Sequence, residues 1–262
     1  MTAEIIVALA AFVSAGLTMY SGFGLGTLML PVFAMFFPVE IAVLSTALVH
    51  GANNVFKVAV LGQHADRAVV IRFGVPAVFA ALIGAMVLVQ ISGQGIIHSY
   101  ELLGRTAEIT PIRLLIGILI FIFALFELWP GLRQFSFDRK YLPLGGVLSG
   151  FFGGLSGHQG ALRSAFLSKA GLSTEQFVGS NAVIGMLVDL TRLATYAGMF
   201  AVLTRESDQS IPWPLVLIGS LAAFCAVMIA RRYLHKVTMK AVQTLVGSLL
   251  LAVAIGLMTG LI

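Results

Sequence analysis

Long apolar runs dominate this chain, at residues 5–37, 39–60, 69–91, 112–129, 142–172, 176–200, 212–230 and 240–262. A run of about 20 apolar residues matches the ~30 Å hydrocarbon layer of a bilayer. Only 10% of the 262 residues are charged, against about 25% in a typical soluble domain, so one soluble core cannot hide this sequence. The ~10-residue alternating strands of a membrane barrel are not seen. The expected fold class is therefore an all-α polytopic membrane protein. The net charge of +5 is scattered over short loops, which argues against a nucleic-acid partner. Cys225 is the sole cysteine, leaving neither an intrachain disulfide nor a cysteine metal site. The N-terminal segment carries Glu4 and no base, unlike a signal peptide. The longest polar gap, about 92–111, is too short for an extramembrane domain.

The chain overlays on itself at an offset of about 135 residues. VSAGLTMYSGFGLG, from Val13, lies over LSGFFGGLSGHQGA, from Leu148, pairing Ser14 with Ser149, Ser21 with Ser156 and Gly22 with Gly157. Further pairs are Glu40/Glu175, Val43/Val178, Ser45/Ser180, Ala47/Ala182, Thr46/Asn181, Asn54/Asp189 and Lys57/Arg192. At a slightly smaller offset RLLIGILIFIFAL, from Arg113, lies over QTLVGSLLLAVAI, from Gln243. Two repeats are the usual plan of a secondary transporter. The expected division is 1–135, with a hairpin at 5–37 and helices at 39–60, 69–91 and 112–129, and 136–262, with a hairpin at 142–172 and helices at 176–200, 212–230 and 240–262.

The hairpins follow from length. Residues 5–37 as one helix would reach about 50 Å at 1.5 Å per residue, too long for one crossing and too short for two with a turn. The run 142–172 has the same defect, and both carry glycines midway: Gly22-Phe23-Gly24-Leu25-Gly26 and Gly157-His158-Gln159-Gly160. Each run is expected to be a re-entrant or broken hairpin whose tip lies near the midplane. Counting basic residues agrees. With hairpins, Lys57, Arg67, Arg72, Arg133, Arg139, Lys140, Lys169, Arg231, Arg232, Lys236 and Lys240 share the cytoplasmic side, and only Arg105, Arg113 and Arg205 face outward. With full crossings they divide about evenly, against the positive-inside rule. The repeats are then inverted and both termini lie outside.

Irregular backbone at membrane depth is tolerated where protein or a watery cavity covers it. A glycine-rich turn opening a helix exposes partly positive amide groups to an approaching anion. The expected substrate-binding set is Ser21, Gly22, Phe23, Gly24, Asn54, Ser156, Gly157, His158, Gln159, Arg163, Asn181 and Arg192, with Asp189 and His158 as proton or charge relays. Each has a plainer reading. Gly22-x-x-x-Gly26 and Gly146-x-x-x-Gly150 are also helix-packing motifs. Asp189 and Arg192 could neutralise each other on one helix face. Arg163 could line a water path, and His158 could be a hydrogen-bonded structural ring. His50, Asn53 and Asn54 form a further polar cluster, and the two asparagines could close a helix–helix hydrogen bond. Lys57 reads as snorkelling to the cytoplasmic surface, and Glu127 as wetted at the interface. Ionisable groups at depth cost about 2.5–3.5 kcal/mol on insertion scales, which is why Arg163, Asp189 and Arg192 attract a functional reading.

SGFGLGTLMLPVFAMF, with Pro31 after the first tip, GVLSGFFGGLSGHQGAL, and the repeated Glu-x-x-x-x-Ser segments at Glu40 and Glu175 together resemble the sulfite exporter TauE/SafE family, also called the toluene sulfonate uptake permease family. The resemblance spans essentially the whole chain. It implies a multi-pass cell-membrane transporter of sulfite, sulfoacetate, other organosulfonates or related anions, with the Gly22–Gly26 and Gly157–Gly160 tips in the transport site. His158-Gln159 stands where smaller residues are usual. The function expected is a secondary transporter or facilitator of a small sulfur-containing or carboxylate anion, most simply an exporter, in a bacterial inner membrane. The expected partners are that anion and the lipid bilayer, with a homo-oligomer compatible; no cofactor or metal is expected. The alternatives are an intramembrane enzyme, for which the HExxH and Gly-x-Ser-x-Gly patterns are missing, and a structural membrane subunit.

Overall fold

The fold is seen in a computed structural model that describes residues 2–21, 25–102, 104–129, 131, 136–206, 210–233 and 239–262. It is an all-α membrane protein with one small exception among the described residues. In chain order the helices are α1 (Thr2–Ser21), α2 (Leu25–Ala34), α3 (Val39–Leu61), α4 (Arg67–Ser92), α5 (Pro111–Leu128), α6 (Leu142–Ser156), α7 (Gly160–Leu167), α8 (Thr174–Glu206), α9 (Trp213–Tyr233) and α10 (Met239–Met258). Among the described residues α4, the Thr174–Gly198 part of α8 and the Trp213–Ala230 part of α9 are long and apolar enough to cross a bilayer. Shorter apolar stretches include Thr2–Leu17, Leu25–Ala34 and Pro111–Phe126.

Proline and glycine punctuate these helices for local reasons. Pro38 holds an extended backbone ahead of α3, with φ −51° and ψ 149°. Pro111 opens α5, where Thr110 Oγ1 accepts from the Arg113 amide at 3.3 Å. A proline at the first helical position loses nothing, since its missing N–H would be unpaired there anyway. Pro76 lies inside α4, and just before it the helix widens into a π turn over Val70–Gly74. Its ring lacks a donor and would crowd the carbonyl four residues back.

The exception to helix lies in the polar gap. β1 (His98–Leu102) and β2 (Arg105–Ile109) form an antiparallel ribbon turned at Gly104, φ +75°. The ribbon is fastened to the end of α10, where the Glu108 amide donates to the Gly260 carbonyl at 3.2 Å and the Tyr100 hydroxyl to the Thr259 carbonyl at 2.7 Å.

Packing between the halves is crosswise: α1 lies against α9, α6 against α4, α3 against α8, and α5 against α10. The α4–α6 seam shows why the sequence needs glycine there. A Cβ on Gly146, Gly150 or Gly154 would strike the backbone carbonyls of Phe73, Ala77 and Ala81, and one on Gly84 would strike that of Phe151. These glycines recur every four residues, so they form one stripe on α6. In lipid no hydrophobic force drives helices together, and close backbone approach of this kind supplies the attraction. The packing reading of Gly146-x-x-x-Gly150 is therefore the one the structure adopts.

Replacing Gly150 by valine is expected to cost more than the ~1–3 kcal/mol of ordinary overpacking, because the obstacle is backbone. Gly198→Ala is the control, since a Cβ there meets nothing within 4 Å. Thermal melts of the two purified variants in detergent should show a lowered midpoint for the first only.

Candidate functional site

The polar side chains of the interior gather where α3, α7 and α8 meet. His50, Asn54 and Lys57 stand at i, i+4 and i+7 on α3, and Asp189, Arg192 and Tyr196 at i, i+3 and i+7 on α8, so each set occupies one helix face. All are buried. Asp189 is the hub. Its Oδ2 accepts from His50 Nδ1 at 2.6 Å and from Asn54 Nδ2 at 2.7 Å. Its Oδ1 accepts from Gln159 Nε2 at 3.2 Å and lies 2.8 Å from Arg192 Nη2. An ionised carboxylate only accepts, so His50 carries its proton on Nδ1.

The break between α6 and α7 brings Gln159 and Arg163 into this cluster. α6 ends at Gly157 with φ +83°, the left-handed turn that suits glycine. A side chain there would also collide with the Arg192 guanidinium. The Gln159 amide donates to the Gly157 carbonyl at 3.0 Å, and Ser149 Oγ donates to the Gln159 carbonyl at 3.0 Å, tying the turn back to α6. Gln159 thus has a fixed backbone and a bridging side chain. Its Oε1 accepts from Arg163 Nη1 at 2.8 Å while its Nε2 donates to Asp189. Arg163 Nε donates to Asn181 Oδ1.

Beside the hub is a cavity of about 10 Å³ lined by Met19, Leu25, His50, Asn54, Lys57, Arg163, Val178, Asn181 and Ala182. That is the room of a single water. Leu25 and Arg163, each in the opening turn of its short helix, both reach this cavity. The start of α2 also approaches the α6–α7 break directly: a Cβ on Gly26 would lie 3.2 Å from the Gly157 carbonyl oxygen.

Electrostatically the cluster is unbalanced. Among the described residues the buried charges are Lys57, Arg163 and Arg192 against Asp189 alone, a formal excess of two positive charges with the histidines neutral. Arg192 is 0% exposed, and although close to Asp189 it is poorly aligned, so none of its guanidinium nitrogens completes a hydrogen bond. Burying unpaired charge costs several kcal/mol per ion. An oxyanion would supply the missing charge and accept the spare donors.

Of the residues expected from sequence, Asn54, Gln159, Arg163, Asn181, Asp189 and Arg192 come together here. Gly157 shapes the turn. Ser156 and His158 are buried but face elsewhere: Ser156 Oγ donates to the Phe152 carbonyl at 3.2 Å and lies 3.1 Å from His158 Nδ1, whose ring stacks on Phe123 with centroids 5.1 Å apart. Gly22, Phe23 and Gly24, and the side chain of Ser21, lie outside the described residues. Lys57 does not snorkel outward; it is 8% exposed and lines the cavity. His50 and Lys57 belong with the cluster although the expected binding set lacked them, and their helical spacing from Asn54 was the available signal. Asn54 makes the helix–helix bond expected of the asparagine pair, whereas both ends of the buried Asn53 amide are unpartnered.

Comparison with protein families gives a match over residues 6–257 to the family described as sulfite exporter TauE/SafE. Among curated proteins none matches this sequence.

Gln159→Met, similar in size but without the amide, is expected to destabilise the protein by about 1.5–3 kcal/mol, the usual worth of a hydrogen bond to a charged group. Thermal unfolding of the detergent-solubilised variant against the unsubstituted protein measures it.

Proposed function

Since the chain belongs to the sulfite exporter TauE/SafE family, a family of membrane transporters, we propose that it moves a small oxyanion of sulfur or an organosulfonate, such as sulfite or sulfoacetate, out of the cell through the cluster around Asp189. The observation that carries this reading is the buried excess of positive charge beside a cavity bordered by the opening turns of α2 and α7. Arg163 and Lys57 line the cavity and attract the anion; Asn54, Asn181 and His50 offer it hydrogen bonds from the wall. Gln159 ties Arg163 to the carboxylate. Arg192 adds field from behind Asp189.

A water-sized cavity is too small for a sulfur oxyanion, so this conformation is the closed one, and passage requires the breaks or the helices bearing them to part. Two inverted repeats, 1–135 and 136–262, each a broken hairpin followed by three helices, provide the moving parts. The crosswise packing favours this: exchanging α1 for α6, α3 for α8, α4 for α9 and α5 for α10 turns the α1–α9 contact into α6–α4 and leaves α3–α8 and α5–α10 as themselves. Asn54 and Asp189, equivalent in the repeat, hydrogen bond each other across that exchange at 2.7 Å. Both termini lie outside in this topology, so a reporter fused to the C-terminus should be active only on the outer side; cytoplasmic activity would overturn the arrangement.

Export fits the energetics. Outward movement of one negative charge gains about 2.3 kcal/mol per 100 mV of inside-negative potential, so no coupling ion is required. Arg163→Ala and Arg192→Ala should abolish sulfite efflux from proteoliposomes while leaving extractable protein, and sulfite, sulfoacetate or sulfate should raise the melting point of the unsubstituted protein by mass action. Full efflux by both variants would remove the proposed site. Stabilisation by none of these anions, in a panel extended to taurine, acetate and lactate, would remove the substrate class.

A further inference from the structure

Four donors converge on one carboxylate at this site. His50, Asn54 and Gln159 hydrogen bond Asp189, and Arg192 lies against it. Two of them, His50 and Asn54, also line the cavity beside Lys57, Arg163 and Asn181. Two of the donors a free oxyanion would use are thus already engaged by an oxyanion that belongs to the chain. The engagement is incomplete: Arg192 is wholly buried, yet its Nε, Nη1 and Nη2 complete no hydrogen bond. The cluster also keeps its excess of cations over carboxylates, so Asp189 occupies the site without neutralising it.

We propose that the Asp189 carboxylate is a tethered stand-in for the transported anion, holding the site's donors in the empty carrier and giving them up when a free oxyanion enters. The proposal rests on the reading of this cluster as the anion site. A tethered group competes at a high effective concentration. The apparent affinity of the free ion falls by the fraction of carriers whose donors are released. That serves transport, because a permeating ion must bind well enough to enter and weakly enough to leave. The linkage through Gln159 extends the exchange to Arg163: when Asp189 lets go of the Gln159 amide, the Arg163 guanidinium at its other end is freed toward the cavity. Asn54 and Gln159 can reorient by side-chain rotation, whereas the carboxylate is held on α8, whose neighbouring Gly185 leaves room for the Asn54 amide.

The test is equilibrium binding of sulfite and of sulfate by purified full-length protein, followed by calorimetry and melting point, beside efflux from proteoliposomes. Asp189→Asn and Asp189→Ser should bind these anions at least about tenfold tighter than the unsubstituted protein, a gain of about 1.4 kcal/mol, and should release them more slowly, so that efflux falls. Both variants should lose stability without anion and regain it when millimolar sulfite or sulfate is present through extraction. Asp189→Glu keeps the tethered charge and should bind no tighter than the unsubstituted protein. Binding by the Asn and Ser variants that is unchanged or weaker overturns the proposal, as does their failure to be kept folded by either anion. If the unsubstituted protein binds anion and Arg163→Ala does not, such a result sinks the stand-in alone. If the unsubstituted protein binds neither anion and Arg163→Ala changes nothing, the anion-site reading falls and takes this proposal with it.

Discussion

The structure turns on the cost of holding cations away from water. Moving an unpaired charge into a low-dielectric interior costs several kcal/mol even after relaxation, and Lys57, Arg163 and Arg192 are all buried. Asp189 is what makes that arrangement tolerable. Its two oxygens collect donors from α3, from the α6–α7 break and from its own helix, so one carboxylate fixes three segments relative to one another. On the proposed function, the remaining charge imbalance is not a defect of folding; it is the attraction that a negatively charged solute would meet at depth.

Glycine serves two separate ends in this chain. Along α6 the glycines at 146, 150 and 154 remove bulk so that α4 can seat its backbone carbonyls against the helix. That is packing, and it makes α6 a rigid post. At the end of the same helix Gly157 provides a left-handed turn and clears space for the Arg192 guanidinium. That is site construction. The rigid post and the turn are linked by Ser149, whose hydroxyl holds the Gln159 carbonyl, so the position of the bridging glutamine is set by the same helix that packs against α4.

On the proposed function, the geometry of the cavity connects fold to transport. It is bounded on one side by Met19 near the end of α1 and Leu25 at the start of α2, and on another by Arg163 just beyond the α6–α7 break. Because Gly26 abuts the Gly157 carbonyl, the start of α2 closes against the α6–α7 break at the level of the polar cluster. Widening the cavity therefore means separating the start of α2 from the α6–α7 break, and a helix end has fewer backbone hydrogen bonds to lose than the interior of a continuous helix.

Much of this was legible in the residues alone. Apolar runs of bilayer length determined a helical membrane protein, because no other arrangement satisfies both side chains and backbone in lipid. The awkward length of residues 142–172, with glycines midway, located the helix break at 157–159. The ionisable residues at depth marked Arg163, Asp189 and Arg192 as candidates. The sequence did not reveal that Lys57 turns inward, since a lysine near a span end has the reach to go either way. Nor could it separate packing glycines from turn glycines, which are identical until the partner surface is known. That His50, Asn54, Gln159 and Arg192 all meet one carboxylate was decided by tertiary structure alone. The convergence joins residues 139 apart for His50–Asp189 and 135 apart for Asn54–Asp189, and local spacing carries no information about which helix faces will meet.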